Sequence, residues 1–136
     1  MEYEGLNNMI KMTVSGSFEN TKRSLKEMST KQLYSLLGKY GQMGVDALRA
    51  ATPVRTGATA SAWRYAIVRS ANGVTIEWHN DRTSPTNSHV YIALLIQYGH
   101  GTGTGGYVAG VDYINPAMKP VFDTISKNVW KEVSKL

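Results

Sequence analysis

The chain has 136 residues, 15 Lys or Arg against 10 Asp or Glu, a formal net charge of +5 and no cysteine. That length allows one modest core and not two independent ones, and the missing cysteines exclude disulfides, thiolate metal sites and cysteine nucleophiles. With 42% hydrophobic and 18% charged residues, the composition excludes a wholly disordered chain.

Residues 1–16 carry no sustained period and no apolar stretch of the kind a secretory signal needs, and no apolar run in the chain approaches the roughly 20 residues that cross a bilayer. We expect 1–16 to be a flexible N-terminal arm, followed by one domain over 17–136. Phe18, Leu25 and Met28 share a loosely helical face. Ser29 or Thr30 can cap a longer helix whose stripe runs Leu33, Leu36, Leu37, Tyr40, Met43, Ala47, Leu48 and Ala51, in steps of three and four. Gly38, Gly41 and Gly44 recur inside it, each costing up to about 1 kcal/mol against Ala; close packing of another segment would explain the cost, and a loosened helix is the alternative. Pro53 ends the helix, because the residue before a proline is biased out of the α region.

The period then becomes two. Residues 60–69 alternate as a strand, Ala71-Asn72-Gly73 is a turn signal, and Val74, Ile76 and Trp78 alternate with Thr75, Glu77 and His79, so a β-hairpin is predicted. A polar loop over 80–88 leads to the apolar run Val90–Tyr98, which length alone leaves open as helix or buried strand. Residues 99–106 form a flexible, glycine-dense loop, 107–111 a short strand, and Asn115-Pro116 starts a last helix with Met118, Val121, Ile125, Val129 and Val133 on one face. The sum is an α+β domain: N-terminal helices and a long C-terminal helix packed on a small antiparallel sheet. Trp63, Trp78 and Tyr98 are its expected core aromatics.

No motif demands chemistry. The glycine loop lacks the Lys-Ser/Thr of a P-loop and runs into a strand, where a dinucleotide fingerprint needs a helix. His79, His89 and His100 have no helical metal-site spacing, no serine sits in a GxSxG elbow, and Glu77, Asp81 and Asp112 are isolated in sequence. We therefore expect no catalytic residue, no cofactor and no metal. The dispersed basic residues, interrupted by Glu19, Glu27 and Asp46, read as a solvated charged face. Trp63-Arg64-Tyr65 and Trp78-His79 could stack on nucleic acid, and a small basic nucleic-acid-binding protein is the alternative to the reading that follows; core packing explains the same aromatics without a ligand.

Three stretches carry a resemblance: residues 51–57 (Ala-Thr-Pro-Val-Arg-Thr-Gly), with Thr52, Pro53, Thr56 and Gly57; residues 92–102, ending Gln-Tyr-Gly-His-Gly-Thr; and residues 112–117 (Asp-Tyr-Ile-Asn-Pro-Ala), with Asn115 and Pro116. In order and spacing they resemble the tail-completion, or head–tail joining, proteins of long-tailed phages, over roughly residues 17–136. The glycine loop here is longer than the family's short pattern. The resemblance implies a non-enzymatic virion protein of the neck, assembled in the host cytoplasm. It implies a homo-oligomeric ring, expected to be hexameric, between the head-closure or connector protein and the tail terminator or tail tube. DNA would pass through the channel without sequence recognition, and no membrane is involved. Gly99, His100, Gly101, Thr102, Gly103, Thr104, Gly105, Gly106 and Tyr107 are the expected assembly loop.

Overall fold

The computed structural model describes residues 2–6, 9–14, 30–53, 57–70 and 73–134. The apolar stripe between Leu33 and Ala51 folds as a single helix, α1 (Thr30–Ala51), and the later one as α4 (Ile114–Ser134). Before and between them lie β1 (Glu2–Leu6), β2 (Met9–Val14), a single turn α2 (Ala58–Ser61), β3 (Trp63–Ser70), β4 (Gly73–Asn80), β5 (Thr83–Ser84), β6 (Asn87–Tyr91), α3 (Ile92–Tyr98), β7 (Gly99–Gly101) and β8 (Tyr107–Ala109). The chain is an α+β domain: a four-stranded antiparallel sheet in the order β1-β2-β4-β3, two small two-stranded ribbons, and helices.

Strand parity decides the layers. Trp63 on β3 and Ile76 and Trp78 on β4 are buried with Leu37, Tyr40, Val45 and Leu48 of α1 and Met118, Val121 and Ile125 of α4. Tyr65, Ile67 and Val74, at the same parity, are half-buried against that cluster. Both long helices therefore cover one face of the sheet, α1 lying across β3 and β4 and α4 packed beside it. The glycine spacing finds its reason here. A Cβ at Gly41 would fall among the ring atoms of Tyr65, and one at Gly44 among the indole atoms of Trp78. The indole Nε1 donates to the Gly41 carbonyl at 2.8 Å, a bond that the bare helix surface makes reachable. The Trp78 ring also meets Phe122 of α4 with centroids 6.1 Å apart.

Several expectations change. Residues 2–6 and 9–14 are not a free arm: β1 pairs with β2 from Glu2↔Thr13 to Leu6↔Met9, and β2 pairs with β4 from Met9↔His79 to Val14↔Val74. Their mixed composition hid the pairing, because strands of four to six residues give few periods to count. Tyr98 is not a core aromatic; it is 62% exposed, since it follows the buried Gln97 on α3 and turns away from the core. The predicted first strand begins later: Ala60 and Ala62 belong to α2 and its C-cap, and pairing with β4 starts at Trp63. The apolar run open between helix and strand is both, strand to Tyr91 and helix from Ile92. The helix expected around Phe18, Leu25 and Met28, the capping Ser29, Thr56 and the Ala71-Asn72 turn lie outside the described residues, although Ser70↔Gly73 closes the predicted hairpin on both sides of that turn.

The glycine contacts give a direct test. Gly41→Ala and Gly44→Ala should each lose about 2–3 kcal/mol in urea denaturation from overpacking, despite gaining about 1 kcal/mol of helix propensity. Gly38→Ala, whose Cβ would meet only the Tyr65 hydroxyl at 3.5 Å, should be neutral or stabilising.

Candidate assembly surface

The three sequence stretches that carry the resemblance are each fixed by a buried polar side chain. At the end of α1, Thr52 is buried; its hydroxyl donates to the Leu48 carbonyl at 2.6 Å and accepts from the indole Nε1 of Trp63 at 2.9 Å. That pair ties the helix end to the start of β3, so Pro53 leaves the helix at a set point. Gly57 caps α2 with φ 80, and the Asn80 amide at the end of β4 donates to the Thr59 carbonyl at 2.8 Å. Asn80 is fully buried, and its oxygen accepts the Arg82 N–H at 3.2 Å.

Gln97 does the same for the other two stretches. It sits on α3 four residues after the buried Ala93, on the inward face. Its Oε1 accepts the N–H groups of Tyr113 and Ile114 at 3.1 and 3.0 Å, two of the donors that a helix start leaves without an intrahelical acceptor. Its Nε2 donates to Asp112 at 2.7 Å, and Asp112 also accepts from the Asn115 amide at 3.0 Å. Tyr113 donates its hydroxyl to the Ala93 carbonyl at 2.8 Å. The last helix begins at Ile114, two residues before Pro116, which therefore still falls in the first turn, where a missing N–H breaks no bond.

Between these stretches the glycine-dense segment forms a β-ribbon. Gly99 pairs with Ala109, His100 with Val108 and Gly101 with Tyr107. Gly99 has φ 80, and a Cβ there would press on the Val108 carbonyl and the Tyr107 hydroxyl, so both backbone and space require glycine. At the tip, the Thr102 hydroxyl accepts from the Gly106 N–H at 3.1 Å and lies 3.1 Å from the Thr104 hydroxyl. The expected loop is thus two paired strands joined by a short tip. The Tyr107 hydroxyl donates to the Tyr98 carbonyl at 3.0 Å, which fastens the ribbon to the end of α3.

The ribbon walls one side of a cavity of about 400 Å³, lined by Pro53, Gly57, Thr59, Ile92, Ile96, His100, Val108 and Val111 among others. Residues of the first two stretches border it, and Gln97 bonds the third to the helix that carries Ile92 and Ile96. The lining is mainly apolar, and the His100 Nδ1 is buried with no hydrogen-bond partner among the described residues. On the outside, Tyr98 (62% exposed), Tyr107 (67%), Val108 (47%) and Val111 (55%) leave apolar surface in water at the ribbon and at both chain segments that flank it. Among the described residues, no group of three His, Cys, Asp or Glu is placed to hold a metal ion, and no helix is long and apolar enough to cross a membrane. Trp63 and Trp78, the aromatics that could have stacked on nucleic acid, are buried under α1 and α4.

Sequence reasoning singled out Thr52, Pro53, Gly57, Asn115, Pro116 and the ribbon residues; the structure sets Pro53 and Gly57 beside His100 and Val108 of the ribbon in the cavity wall, and Asn115 beside Asp112 of the Gln97 clamp. It missed Asn80, Gln97 and Tyr113. The first two had a signal: Asn80 continues the inward parity of Ile76 and Trp78, and Gln97 interrupts an apolar run at helical spacing from Ala93. A polar residue at a core position must find partners. Comparison with known proteins found no matching family model, no matching curated protein and no matching solved structure.

The Gln97 clamp is testable on its own. Gln97→Leu strips two backbone N–H groups and Asp112 of their partner and should cost about 2–4 kcal/mol in chemical denaturation. Asp112→Asn retains a carbonyl oxygen as acceptor and should cost less than about 1 kcal/mol.

Proposed function

We propose that this chain is a structural subunit of a tailed-phage neck: a tail-completion protein that forms a ring joining the head connector to the tail tube and lining the DNA passage. The observation that carries this reading is that two of the stretches whose order resembles that family, 51–57 and 92–102, meet at one apolar cavity, while the third, 112–117, is bonded to the second through Gln97. Each is held by a buried polar pin, Thr52 or Gln97. The pins stabilise a surface and present no reactive group to it; the polar side chains on the cavity wall are the Thr59 hydroxyl and the His100 imidazole.

The physical role follows from the rim. Tyr98, Tyr107, Val108 and Val111 expose apolar area that a monomer gains nothing by showing to water. Covered by a neighbour, that area returns free energy at about 25 cal/mol per Å². The ribbon is fastened at its base by the Tyr107–Tyr98 bond and has glycines at its tip. It can therefore adjust to a docking partner without disturbing the core. In this reading the partners are sister copies, the head-closure protein and the tail terminator or tube.

Val108→Lys combined with Val111→Lys should leave the melting temperature within a few degrees of wild type, because both side chains are exposed, and should sharply reduce the joining of purified heads to tails. Joining at the wild-type level, or DNA binding by the isolated protein that falls steeply with salt, would refute the neck assignment. Deletion of residues 100–106 is a less clean test, since it removes two of the three β7–β8 pairs along with the tip.

A further inference from the structure

The main sheet ends in two strands whose outer edges pair with no other strand among the described residues: β1 on one side and β3 on the other. Neither contains the prolines with which edge strands are commonly blunted. β3 is eight residues long, and in the register that joins Ser70 to Gly73 its residues alternate between facing β4 and facing outward. The N–H and C=O groups of Trp63, Tyr65, Ile67 and Arg69 therefore point away from β4.

We propose that the β3 edge of one copy of this chain pairs with the β1 edge of the next, so that the four-stranded sheets join into one continuous antiparallel sheet around the ring. This rests on the ring-forming reading above and names the contact that closes the ring.

Direction, charge and stagger support the pairing. All three strand pairs in the sheet are antiparallel, so β1 and β3 run in opposite directions. A rotated second copy therefore sets its β1 antiparallel to β3, and the alternation continues unbroken across the junction. The two edges are different strands, which makes the contact heterologous, the kind that generates rings. β1 carries Glu2 and Glu4 and β3 carries Arg64 and Arg69, opposite signs on the two edges of a chain whose net charge is +5.

The register refines this. The row through Arg64 and His79 ends at Leu6, that through Ala66, Glu77 and Lys11 at Glu4, and that through Val68, Thr75 and Thr13 at Glu2. Closing a sheet requires a stagger between strands, and a stagger of two residues sets position 4 opposite Arg64 in the register. Arg64 is exposed, and its bond to Asp81 at 2.8 Å is a surface ion pair of at most about 1 kcal/mol, which leaves the guanidinium able to take a second anionic partner.

The absence of native cysteine makes covalent trapping clean. Glu4→Cys is combined in turn with Arg64→Cys, Ala66→Cys and Val68→Cys, which covers the stagger in both directions. Within one copy, β1 and β3 lie three strand spacings apart, roughly 14 Å, well beyond disulfide reach, so every bond formed links two molecules. Each reduced protein is first checked for a wild-type melting temperature. Under mild oxidation at high protein concentration, at least one pair should give a ladder of covalent multimers extending past the dimer, while each single-cysteine protein stops at the dimer. No ladder from any pair, in protein that sediments as a ring, overturns the edge pairing and leaves the ring. Protein that remains monomeric at every concentration overturns both.

Discussion

The seat of Trp78 on α1 is the contact on which the rest of the structure depends. An indole buries on the order of 200 Å², worth roughly 5 kcal/mol at the usual transfer coefficient, and among the described residues it is the largest fully buried side chain. The contact exists only because Gly41 and Gly44 bare the helix backbone where the ring lies, and because the indole N–H finds the Gly41 carbonyl. A wider residue at either glycine would lift α1 from the sheet. It would also part Trp78 from Phe122 and so loosen the packing of α4.

From that seat the position of the candidate surface follows in short steps. With α1 held on the sheet, its last turn sits where the Thr52 hydroxyl reaches the indole of Trp63, the first residue of β3. Asn80, the register partner of Trp63, then holds α2 at the same end. On the other side of the cavity, Gln97 fixes α3 to the first residues of α4. Each pin is a neutral, buried, fully partnered group. Such bonds contribute only about 1 kcal/mol net, but leaving one partner unpaired costs about 1–3 kcal/mol. They therefore add less to overall stability than to the uniqueness of the geometry, which suits a surface whose shape has to match a neighbour.

How legible this was depended on the length over which a pattern repeats. The two long helices and the β3–β4 hairpin were readable because Leu33 to Ala51, Met118 to Ile125 and Val74 to Trp78 each offer several periods. The glycine stripe was readable only as a choice between close packing and a loosened helix, and the positions of Tyr65 and Trp78 decide it for close packing. The β1–β2 hairpin was not: its strands are too short to show a sustained period, and its place in the sheet comes from pairing of β2 with β4, residues about 60 to 70 positions away. Tyr98 was misplaced because hydrophobicity was read without phase. On α3 the buried positions are Ala93 and Gln97, so a polar residue is inside and its aromatic neighbour outside. The glycine-dense segment was read as loop because composition signals backbone freedom and does not signal the pairing of Gly99 with Ala109 that uses it.

That inversion bears on function. A core built for stability alone would place the tyrosine inside and the amide outside. Here Gln97 occupies the interior, where it organises the start of α4, and Tyr98 and Tyr107 stand in water joined by a single hydrogen bond. Apolar area left outside while a polar group is taken in lowers the stability of a lone monomer, and that loss is recovered only if a neighbour covers the exposed side. The same reasoning applies to the outer edges of β1 and β3, which pair with no other strand among the described residues and which another strand would satisfy in an assembly. Edge and ribbon differ in kind: backbone pairing fixes direction and register between like copies, whereas an apolar rim around a cavity tolerates a partner of different sequence. The proposed ring subunit, gripping sister copies and unlike neighbours, would use both.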